Sequence, residues 1–374
     1  MAQLRAVTTA SGDDHTTLKQ VDVIDKRLMS YVVRLGVAGG IAGLAAKTLI
    51  APFDRIKILF QTLNPDFVQY RGSLKGFFQA ARAIWRTDGV TGLFQGHLVT
   101  LLRIFPYAAI KFVAYEQIRA LLIPSDQYET AVRRFMAGSL LGLALVCCTY
   151  PLDLIRVRMA FDTRHFVHTR QHGRLRYTVL LIYNELPPLR PSDPQWVRFM
   201  RRVMPHHVLH ILNFYRGFYP TILGMIPYAG VSFYTHDAIH DVFRLPWLRK
   251  WTVQQPSQLL KNRRDKATKA GKVQSTRDLR APLTAPAQLI AGGLAGMCSQ
   301  TLAYPFEVIR RRMQVGGIMN KGEFLLFKDT TKLIWKELGI RGFFVGLLIG
   351  YMKVIPMVLC LFFVYERTKA WLLK

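Results

Sequence analysis

The sequence predicts an all-α membrane protein with six transmembrane helices, arranged as three tandem two-helix repeats with pseudo-threefold symmetry. The first observation is hydropathy: 51% of the residues are hydrophobic in a chain with a formal net charge of +28. The second is a pattern of proline, an acid two positions later and a base five positions later, which occurs three times after Gly-rich apolar segments. Small residues four positions apart let transmembrane helices approach closely, and a fixed internal period indicates a repeat architecture.

The first element of each repeat is the Gly-rich helix that ends in this motif. Its prolines are Pro52, Pro151 and Pro305. A proline inside a transmembrane helix removes a backbone hydrogen bond and kinks the helix. Three kinked helices therefore converge at one end of the predicted bundle.

The second element of each repeat is another apolar segment with its own proline. These segments open after Gly96, Gly217 and Gly346, and their prolines are Pro106, Pro227 and Pro356. Each predicted helix is long enough to cross about 30 Å of hydrocarbon. The six predicted spans are 31–58, 94–121, 131–160, 217–243, 286–314 and 343–371.

The spacing of the prolines locates two insertions. Within repeats one to three the two prolines are 54, 76 and 51 positions apart, so repeat two holds about 22 extra residues. Both insertions, one within repeat two and one between repeats two and three, are expected to be solvated loops, with a contact to lipid headgroups as the alternative. The predicted organisation is an N-terminal extension at 1–30, repeats at 31–125, 126–245 (with a long insertion at about 161–213) and 286–374, and a basic inter-repeat loop at 246–285.

Several other classes of protein are disfavoured. Binding to nucleic acid is disfavoured because no nucleic-acid-binding motif accompanies the positive charge, and because several basic residues stand inside apolar stretches. An enzyme is not expected, since no nucleophile–base pair or phosphate-binding Gly loop is visible. The cysteines are interpreted as structural thiols, and His206-His207-x-x-His210 has no second cluster, so neither a metal nor a cofactor is expected. Residues 1–20 match neither a secretory signal nor a cleavable presequence well, so any targeting information is expected to be internal.

The recurring charges predict two rings of ion pairs. An acid and a base three residues apart lie on one helical face, and around a threefold axis each acid meets the base of a neighbouring repeat. Buried charges are costly unless they are paired, so such a ring forms when a mouth closes and dissolves when it opens. Two opposed rings around a central site amount to alternating access, with static salt bridges as the alternative. The first ring comprises Asp54, Lys57, Asp153, Arg156, Glu307 and Arg310, and the second Glu116, Arg119, Asp237, His240, Glu366 and Lys369.

These motifs resemble the mitochondrial carrier family over about residues 30–372, because all three copies match its Pro-x-[Asp/Glu]-x-x-[Lys/Arg] pattern. The resemblance implies a multi-pass, monomeric transporter of the mitochondrial inner membrane. It also implies that the first ring is the matrix gate and the second the cytoplasmic gate. In the family a glutamine nine residues after the proline braces the matrix gate. Gln61 and Gln314 match it, while Ala160 does not.

Within that family, four stretches are similar to the coenzyme A carriers: 103–107, 148–153, 220–230 and 310–314. This similarity implies transport of coenzyme A, by exchange with an adenosine phosphate. The alternative is a carrier of another adenine nucleotide, such as ADP, ATP or adenosine 3′,5′-diphosphate. A non-transporting adaptor on the same scaffold is a further alternative, which predicts eroded gate motifs. Membrane lipid, in particular cardiolipin, is the other expected partner.

Residues that select a substrate should break the threefold symmetry that the gates obey. Three positions before the prolines of the second elements stand Arg103, Gly224 and Lys353, which the resemblance implies are substrate contacts together with Met225. Basic side chains suit the phosphates of coenzyme A, and Tyr228 could stack on the adenine. The alternative for a lone basic residue is helix pairing or snorkelling. The predicted substrate-binding set is Lys47, Arg103, Tyr107, Lys111, Gly224, Met225, Tyr228 and Lys353.

Overall fold

The computed structural model describes residues 31, 34–122, 130–163, 171–185, 195–253, 283–319 and 325–372. The predicted N-terminal extension and residues 254–282 of the basic inter-repeat loop lie outside the described residues. The helices are, in chain order, α1 (Arg34–Leu49), α2 (Ala51–Gln61), α3 (Leu74–Leu93), α4 (His97–Leu122), α5 (Ala131–Phe161), α6 (Gln171–Asn184), α7 (Gln195–Val203), α8 (His206–Leu212), α9 (Phe218–Val242), α10 (Arg249–Thr252), α11 (Ala285–Met319), α12 (Phe327–Leu338), α13 (Leu347–Met352) and α14 (Val354–Leu372).

The chain divides into two compact units. The smaller unit contains the residues up to Ile50 and those from Ile355 onward, so it holds α1 and nearly all of α14. Within it, Arg34 Nη1 donates a hydrogen bond of 3.1 Å to the backbone oxygen of Leu372. The start of α1 therefore lies beside the end of α14.

The larger unit, Ala51–Val354, holds the motif helices α2, α5 and α11. Each is followed by a second helix that packs against it: α3, α6 and α12. One isoleucine of each of these second helices lies in the cluster formed with its motif helix, and all three are at most 1% exposed: Ile84, Ile182 and Ile334. The strongest packing between long helices joins α4 to α5 and α9 to α11.

The second elements of the repeats start from three glycines in the left-handed region. Gly96, Gly217 and Gly346 have φ angles of 80°, 78° and 83°. Side chains rarely adopt this conformation, so glycine is the residue that fits here. These are the glycines that the sequence predicts to open the second apolar segments.

Helices occupy each of the six predicted segments, but the first segment is divided into α1 and α2 and the last into α13 and α14. The third and fourth predicted spans, 131–160 and 217–243, correspond to α5 and α9. By length and hydropathy, helices within 74–122, 136–161 and 327–372 are able to cross a membrane, and α1 with α2 passes the same test when the two are taken together. Helices α9 and α11 are long enough, with 25 and 35 residues, but fall outside this test.

The insertion of repeat two lies in the later part of the predicted range 161–213, and its described part is helical and not a loop. Helix α6, within the predicted 161–213, is the counterpart of α3 and α12. Thirty positions separate Glu185 from Tyr215, against six between Asp88 and Phe94. The extra residues therefore follow Glu185, and the described part of them forms α7 and α8.

Candidate functional site

The motif charges of the three repeats form a closed cycle of ion pairs. The acid of repeat one pairs with the base of repeat two, the acid of repeat two with the base of repeat three, and the acid of repeat three with the base of repeat one. The pairs are Arg156–Asp54 at 2.7 Å, Arg310–Asp153 at 2.6 Å and Lys57–Glu307 at 2.8 Å. We call these six residues the ion-pair ring.

The glycines that start the second elements allow the repeats to approach closely enough for these pairs. A Cβ atom on Gly96 would lie 2.9 Å from the backbone oxygen of Arg156. One on Gly217 would lie 3.1 Å from the backbone oxygen of Arg310, and one on Gly346 would lie 3.5 Å from Cγ of Lys57. Each glycine therefore packs beside the motif base of the next repeat.

Two of the predicted substrate residues contact the ion-pair ring. Lys353 Nζ donates to Asp54 Oδ1 at 2.8 Å. Arg103 lies 3.5 Å from Asp153 Oδ1, and the side chain of Arg103 is 35% exposed. The two cations that break the threefold symmetry at equivalent positions therefore share the carboxylates of the ring.

A further base, Arg311, was not predicted. It donates to Asp153 Oδ2 at 3.0 Å and to Gln314 Oε1 at 3.0 Å. Asp153 is 3% exposed and is contacted by Arg310 and Arg103 as well. Three arginines therefore share this one buried carboxylate.

The glutamines expected to brace the ring make hydrogen bonds to tyrosines of another repeat. Gln61 Nε2 donates to Tyr304 Oη at 3.0 Å. Gln314 Nε2 donates to Tyr150 Oη at 3.1 Å and to Asp153 Oδ2 at 3.2 Å. These tyrosines stand directly before the motif prolines of repeats two and three.

The same two tyrosines make further bonds at the ring. Tyr150 Oη donates to the backbone oxygen of Arg216, and Tyr304 Oη to that of Val345, the residues before Gly217 and Gly346. Lys57 Nζ lies 5.0 Å from the centroid of the Tyr304 ring, within the range of a cation–π contact. The two tyrosines stand at the same position in two repeats, and this recurrence was their signal in the sequence.

The seam between repeats one and two lacks this brace on both sides. The residue before the first motif proline is Ala51, and the residue in the glutamine position of repeat two is Ala160. Both alanines line a cavity of about 10 Å³ beside Asp54 and Arg156. Gln95, which also lines it, donates to the backbone oxygen of Asp162 at 2.8 Å. At this seam the tyrosine and the glutamine of the brace are therefore both replaced by alanine.

A second layer of charge pairs joins each motif helix to an acid in, or directly after, the helix that follows it. The pairs are Arg55–Asp88 at 3.5 Å, Arg158–Glu185 at 2.9 Å and Arg312–Glu337 at 2.6 Å. Arg158 and Arg312 stand seven positions after their prolines, whereas Arg55 stands three after Pro52. This layer was not predicted from the sequence, although two arginines in equivalent positions were its signal.

The remaining predicted substrate residues lie along three helices. Tyr107, Lys111 and Tyr228 are exposed, and Lys47 is half-buried on α1, in the smaller unit. A Cβ atom on Gly224 would lie 3.0 Å from Cβ of Phe306, so the close approach at this glycine is to a neighbouring helix. Cε of Met225 lies 3.5 Å from the Cβ position of Gly142. Contact of these residues with a substrate stays a prediction.

The second predicted ring also stays a prediction. Glu116 on α4 and Glu366 on α14 are exposed, and Asp237 on α9 is half-buried. The ring of His240 lies 4.2 Å from that of His236. The side chain of Arg119 lies outside the described part of the chain, and Lys369 Nζ lies 5.9 Å from the centroid of the Tyr365 ring. Among the described residues, no group of three or more His, Cys, Asp or Glu side chains could hold a metal ion.

Comparison with known proteins agrees with this geometry. The sequence profile described as mitochondrial carrier protein matches residues 29–126, 127–246 and 281–374, one match for each repeat. The chain belongs to the mitochondrial carrier family.

Members of this family are transporters of the mitochondrial inner membrane, with several membrane-spanning segments. The chain is therefore a transporter and not an enzyme. It is 52% identical to mitochondrial carrier protein LEU5 of Saccharomyces cerevisiae over 349 residues, which covers 92% of each chain. It is 35% identical to human solute carrier family 25 member 16 over 341 residues (91% of this chain and 88% of the relative), and 32% identical to mitochondrial carrier protein CoAc2 of Zea mays over 353 residues (92% and 88%).

Proposed function

We propose that this carrier transports coenzyme A across the mitochondrial inner membrane by alternating access, in exchange for an adenosine phosphate. The observation that carries the mechanism is the sharing of ring carboxylates: Lys353 with Asp54, and Arg103 with Asp153. An anionic substrate that binds these two cations competes with the ring for them. Binding and opening of the ring are thereby coupled.

The coupling has a simple electrostatic basis. Each ring carboxylate is stabilised by its donors in a site of low dielectric, where charge-assisted hydrogen bonds are strong. A phosphate group that attracts Lys353 withdraws one donor from Asp54. The ring is weakened only when substrate is present, which favours exchange over leakage.

Alternating access also requires a second gate and the full bundle. We assign six membrane spans with pseudo-threefold symmetry, in which the ion-pair ring closes the matrix side. Glu116, Arg119, Asp237, His240, Glu366 and Lys369 form the cytoplasmic gate. The cyclic pairing of the three repeats within Ala51–Val354 supports the symmetry. We propose that the transporter works as a monomer, as the resemblance to the family implies.

The choice of coenzyme A rests on the four stretches that resemble coenzyme A carriers and on the number of basic residues. Its pyrophosphate and 3′-phosphate offer separate partners for Arg103, Lys353, Lys47 and Lys111. Tyr107 lies between Arg103 and Lys111 along α4, and Tyr228 is available to stack on the adenine. Another adenine nucleotide, such as ADP, ATP or adenosine 3′,5′-diphosphate, is the second candidate because it carries the same groups in part.

A lipid such as cardiolipin is the second proposed partner. A cavity of about 350 Å³ lies between the start of α3 and the start of α13. The cavity is lined by Arg71, by Arg341 and by Ser73, which is the N-cap residue of α3. Helix N-termini and arginines bind phosphate, so the cavity suits a phospholipid headgroup.

Thermal denaturation of the purified carrier tests the substrate. The protein is heated with coenzyme A, dephospho-coenzyme A, ADP or ATP at fixed ionic strength, because a ligand raises the midpoint only if it binds the folded state. Coenzyme A is expected to give the largest rise. A larger rise with ADP or ATP would favour the second candidate, and no rise with any of the four would contradict a carrier of adenosine phosphates.

A further inference from the structure

The insertion of repeat two contains a helix whose two faces differ sharply in chemistry. On α7, Trp196, Phe199, Met200 and Val203 follow the i, i+3, i+4, i+7 spacing of one helical face. Three arginines occupy the remaining arc: Arg198, Arg201 and Arg202. The helix is therefore apolar along one side and strongly basic along the other.

The described side chains of α7 are exposed on both faces. Phe199 is 64% exposed and Val203 is 61% exposed. Arg198 and Arg202 are exposed as well. A helix with exposed apolar side chains on one face and exposed basic side chains on the other matches a helix that lies in the interface of a bilayer.

The next helix repeats the pattern of exposure. Val208, Ile211 and Leu212 on α8 are spaced at i, i+3 and i+4, and they are 38%, 53% and 44% exposed. On the other side of α8, His210 bonds the backbone oxygen of Tyr183 at 2.5 Å, and its ring stacks on that of Tyr183 at 4.5 Å. Helix α8 is thus fastened to α6 by His210 and leaves its apolar stripe open.

The base of the insertion is fixed at the ends of two long helices. Glu185 binds Arg158, near the end of α5, and Arg216, directly before Gly217 and α9. Asn213 Nδ2 donates to the backbone oxygen of Glu185 at 2.7 Å. The first and last residues of the insertion are therefore joined where α5 ends and α9 begins.

This attachment limits how far α7 lies from the membrane surface. Only Met204 and Pro205 separate α7 from α8, and α8 ends one residue before Asn213. Seven helical residues span about 10 Å, and two extended residues add about 7 Å. The end of α7 therefore stays within reach of the level at which the spanning helices leave the bilayer.

We propose that α7 lies in the membrane interface on the side of the ion-pair ring, with Phe199 and Val203 among the lipid chains and its arginines on anionic headgroups. The bilayer supplies both an apolar phase and phosphates, whereas an acidic protein surface matches the arginines alone. Basic residues near an anionic surface each strengthen binding. The helix thereby anchors the insertion beside the seam between α5 and α9. This proposal does not depend on the identity of the substrate.

Site-specific quenching tests the orientation of α7. Phe199→Cys and Arg202→Cys are each prepared in full-length protein whose four cysteines are replaced by alanine and which retains uptake. Each is labelled with an environment-sensitive fluorophore and reconstituted in phosphatidylcholine vesicles with and without phosphatidylglycerol. The label at position 199 should be quenched by doxyl-labelled lipid and protected from iodide, and the label at position 202 should show the reverse.

The charge contribution is tested by adding Arg198→Gln and Arg201→Gln to the Phe199→Cys protein. In vesicles with phosphatidylglycerol the ratio of interface-bound to unbound α7 should fall about fivefold for each charge removed. The matched control, Arg263→Gln with Arg264→Gln in the other insertion, should leave the label at 199 unchanged. Equal access of iodide to both labels would overturn the proposal. Protection of the label at 199 from both quenchers would also overturn it, because the stripe would then pack on protein. Lipid quenching that ignores phosphatidylglycerol and the arginines would overturn the assignment of the basic face.

Discussion

Lys353 and Arg156 donate to the two oxygens of one carboxylate, that of Asp54, at 2.8 and 2.7 Å. Lys353 stands at a position predicted to bind substrate, and Arg156 belongs to the ion-pair ring. Any phosphate that draws Lys353 away leaves Asp54 with fewer donors. A link between substrate binding and the ring is therefore present in the bonding of a single side chain.

Replacement of Lys353 or Arg103 by alanine is expected to abolish uptake of coenzyme A in liposomes while the protein remains folded. Each change removes a basic partner of the substrate, and the ring pairs Asp54–Arg156 and Asp153–Arg310 are left in place. Lys332→Ala, at an exposed lysine of α12, is the matched control and should transport normally. Full transport by both Lys353→Ala and Arg103→Ala would contradict the assigned site.

Charge reversal within a ring pair is expected to be rescued to different extents in the three repeats. Glu307→Lys with Lys57→Glu should recover the most uptake, because among the described residues the Glu307 carboxylate forms an ion pair with Lys57 alone. Asp153→Arg with Arg310→Asp should recover the least, since Arg311 and Arg103 would then face an arginine. Asp54→Arg with Arg156→Asp should lie between them. Initial uptake rates of the single and double variants measure the rescue. If no double variant transports faster than its two single variants, the ring is contradicted.

Removal of the braces is expected to lower stability unequally. Gln61→Ala loses one neutral hydrogen bond, worth about 1 kcal/mol, whereas Gln314→Ala also loses bonds with Asp153 and Arg311, which involve charge and are worth more. The thermal midpoint of the purified protein should therefore fall further for Gln314→Ala. Ala160→Gly, at the unbraced position, shows the cost of a small change at an equivalent site. An equal fall for both glutamines would mean that the bonds to the ring contribute little.

Glu185→Ala is expected to be among the most destabilising single changes in the insertion. It strips the carboxylate partner from Arg158, whose side chain is 1% exposed, and removes one of several partners of Arg216. Leaving a buried charge unpaired costs roughly 3–5 kcal/mol. Glu337→Ala is the comparison, with a smaller expected effect, because that carboxylate is 39% exposed and binds Arg312. Yield of folded protein and thermal denaturation report the difference, and equal stability of the two variants would contradict it.

Binding is expected to discriminate coenzyme A from dephospho-coenzyme A. Loss of the 3′-phosphate leaves one basic side chain without its partner, and a charge-assisted bond is worth roughly 1.5–3 kcal/mol, or about ten- to a hundredfold in affinity. Salt should weaken binding of coenzyme A more, because one more pair is screened. Competition assays at fixed ionic strength measure the ratio. Equal inhibition would remove the 3′-phosphate from the recognised groups.

Much of the site was predictable from the sequence because it obeys the repeat. The acid of each motif, its base three residues later and the glycine of the next element recur at matching positions, as in Asp54, Lys57 and Gly96. Repetition of a local pattern fixes which residues are equivalent. It does not fix how equivalent helices meet, so the direction of pairing required the family resemblance.

The features that depart from the repeat were harder to predict. Arg55 replaces the arginine that the other two repeats place seven residues after the proline, and Glu185 was obscured by the residues that follow it. The joint loss of the tyrosine and the glutamine at Ala51 and Ala160 becomes visible only when the seam between repeats one and two is described. Such pairs are distant in sequence and share no local pattern.

The sequence by itself determined the family, the three repeats, the positions of the helices and the residues of the ring. Periodic hydropathy, prolines and recurring charges are local properties, and each is legible along the chain. Only the tertiary structure decided that Lys353 and Arg103 share carboxylates with the ring, and that Arg311 and two tyrosines complete it. Lys353 and Asp54 stand 299 positions apart. A contact over that separation depends on how the helices pack, because side chains that meet at a helix seam are selected by shape and charge together.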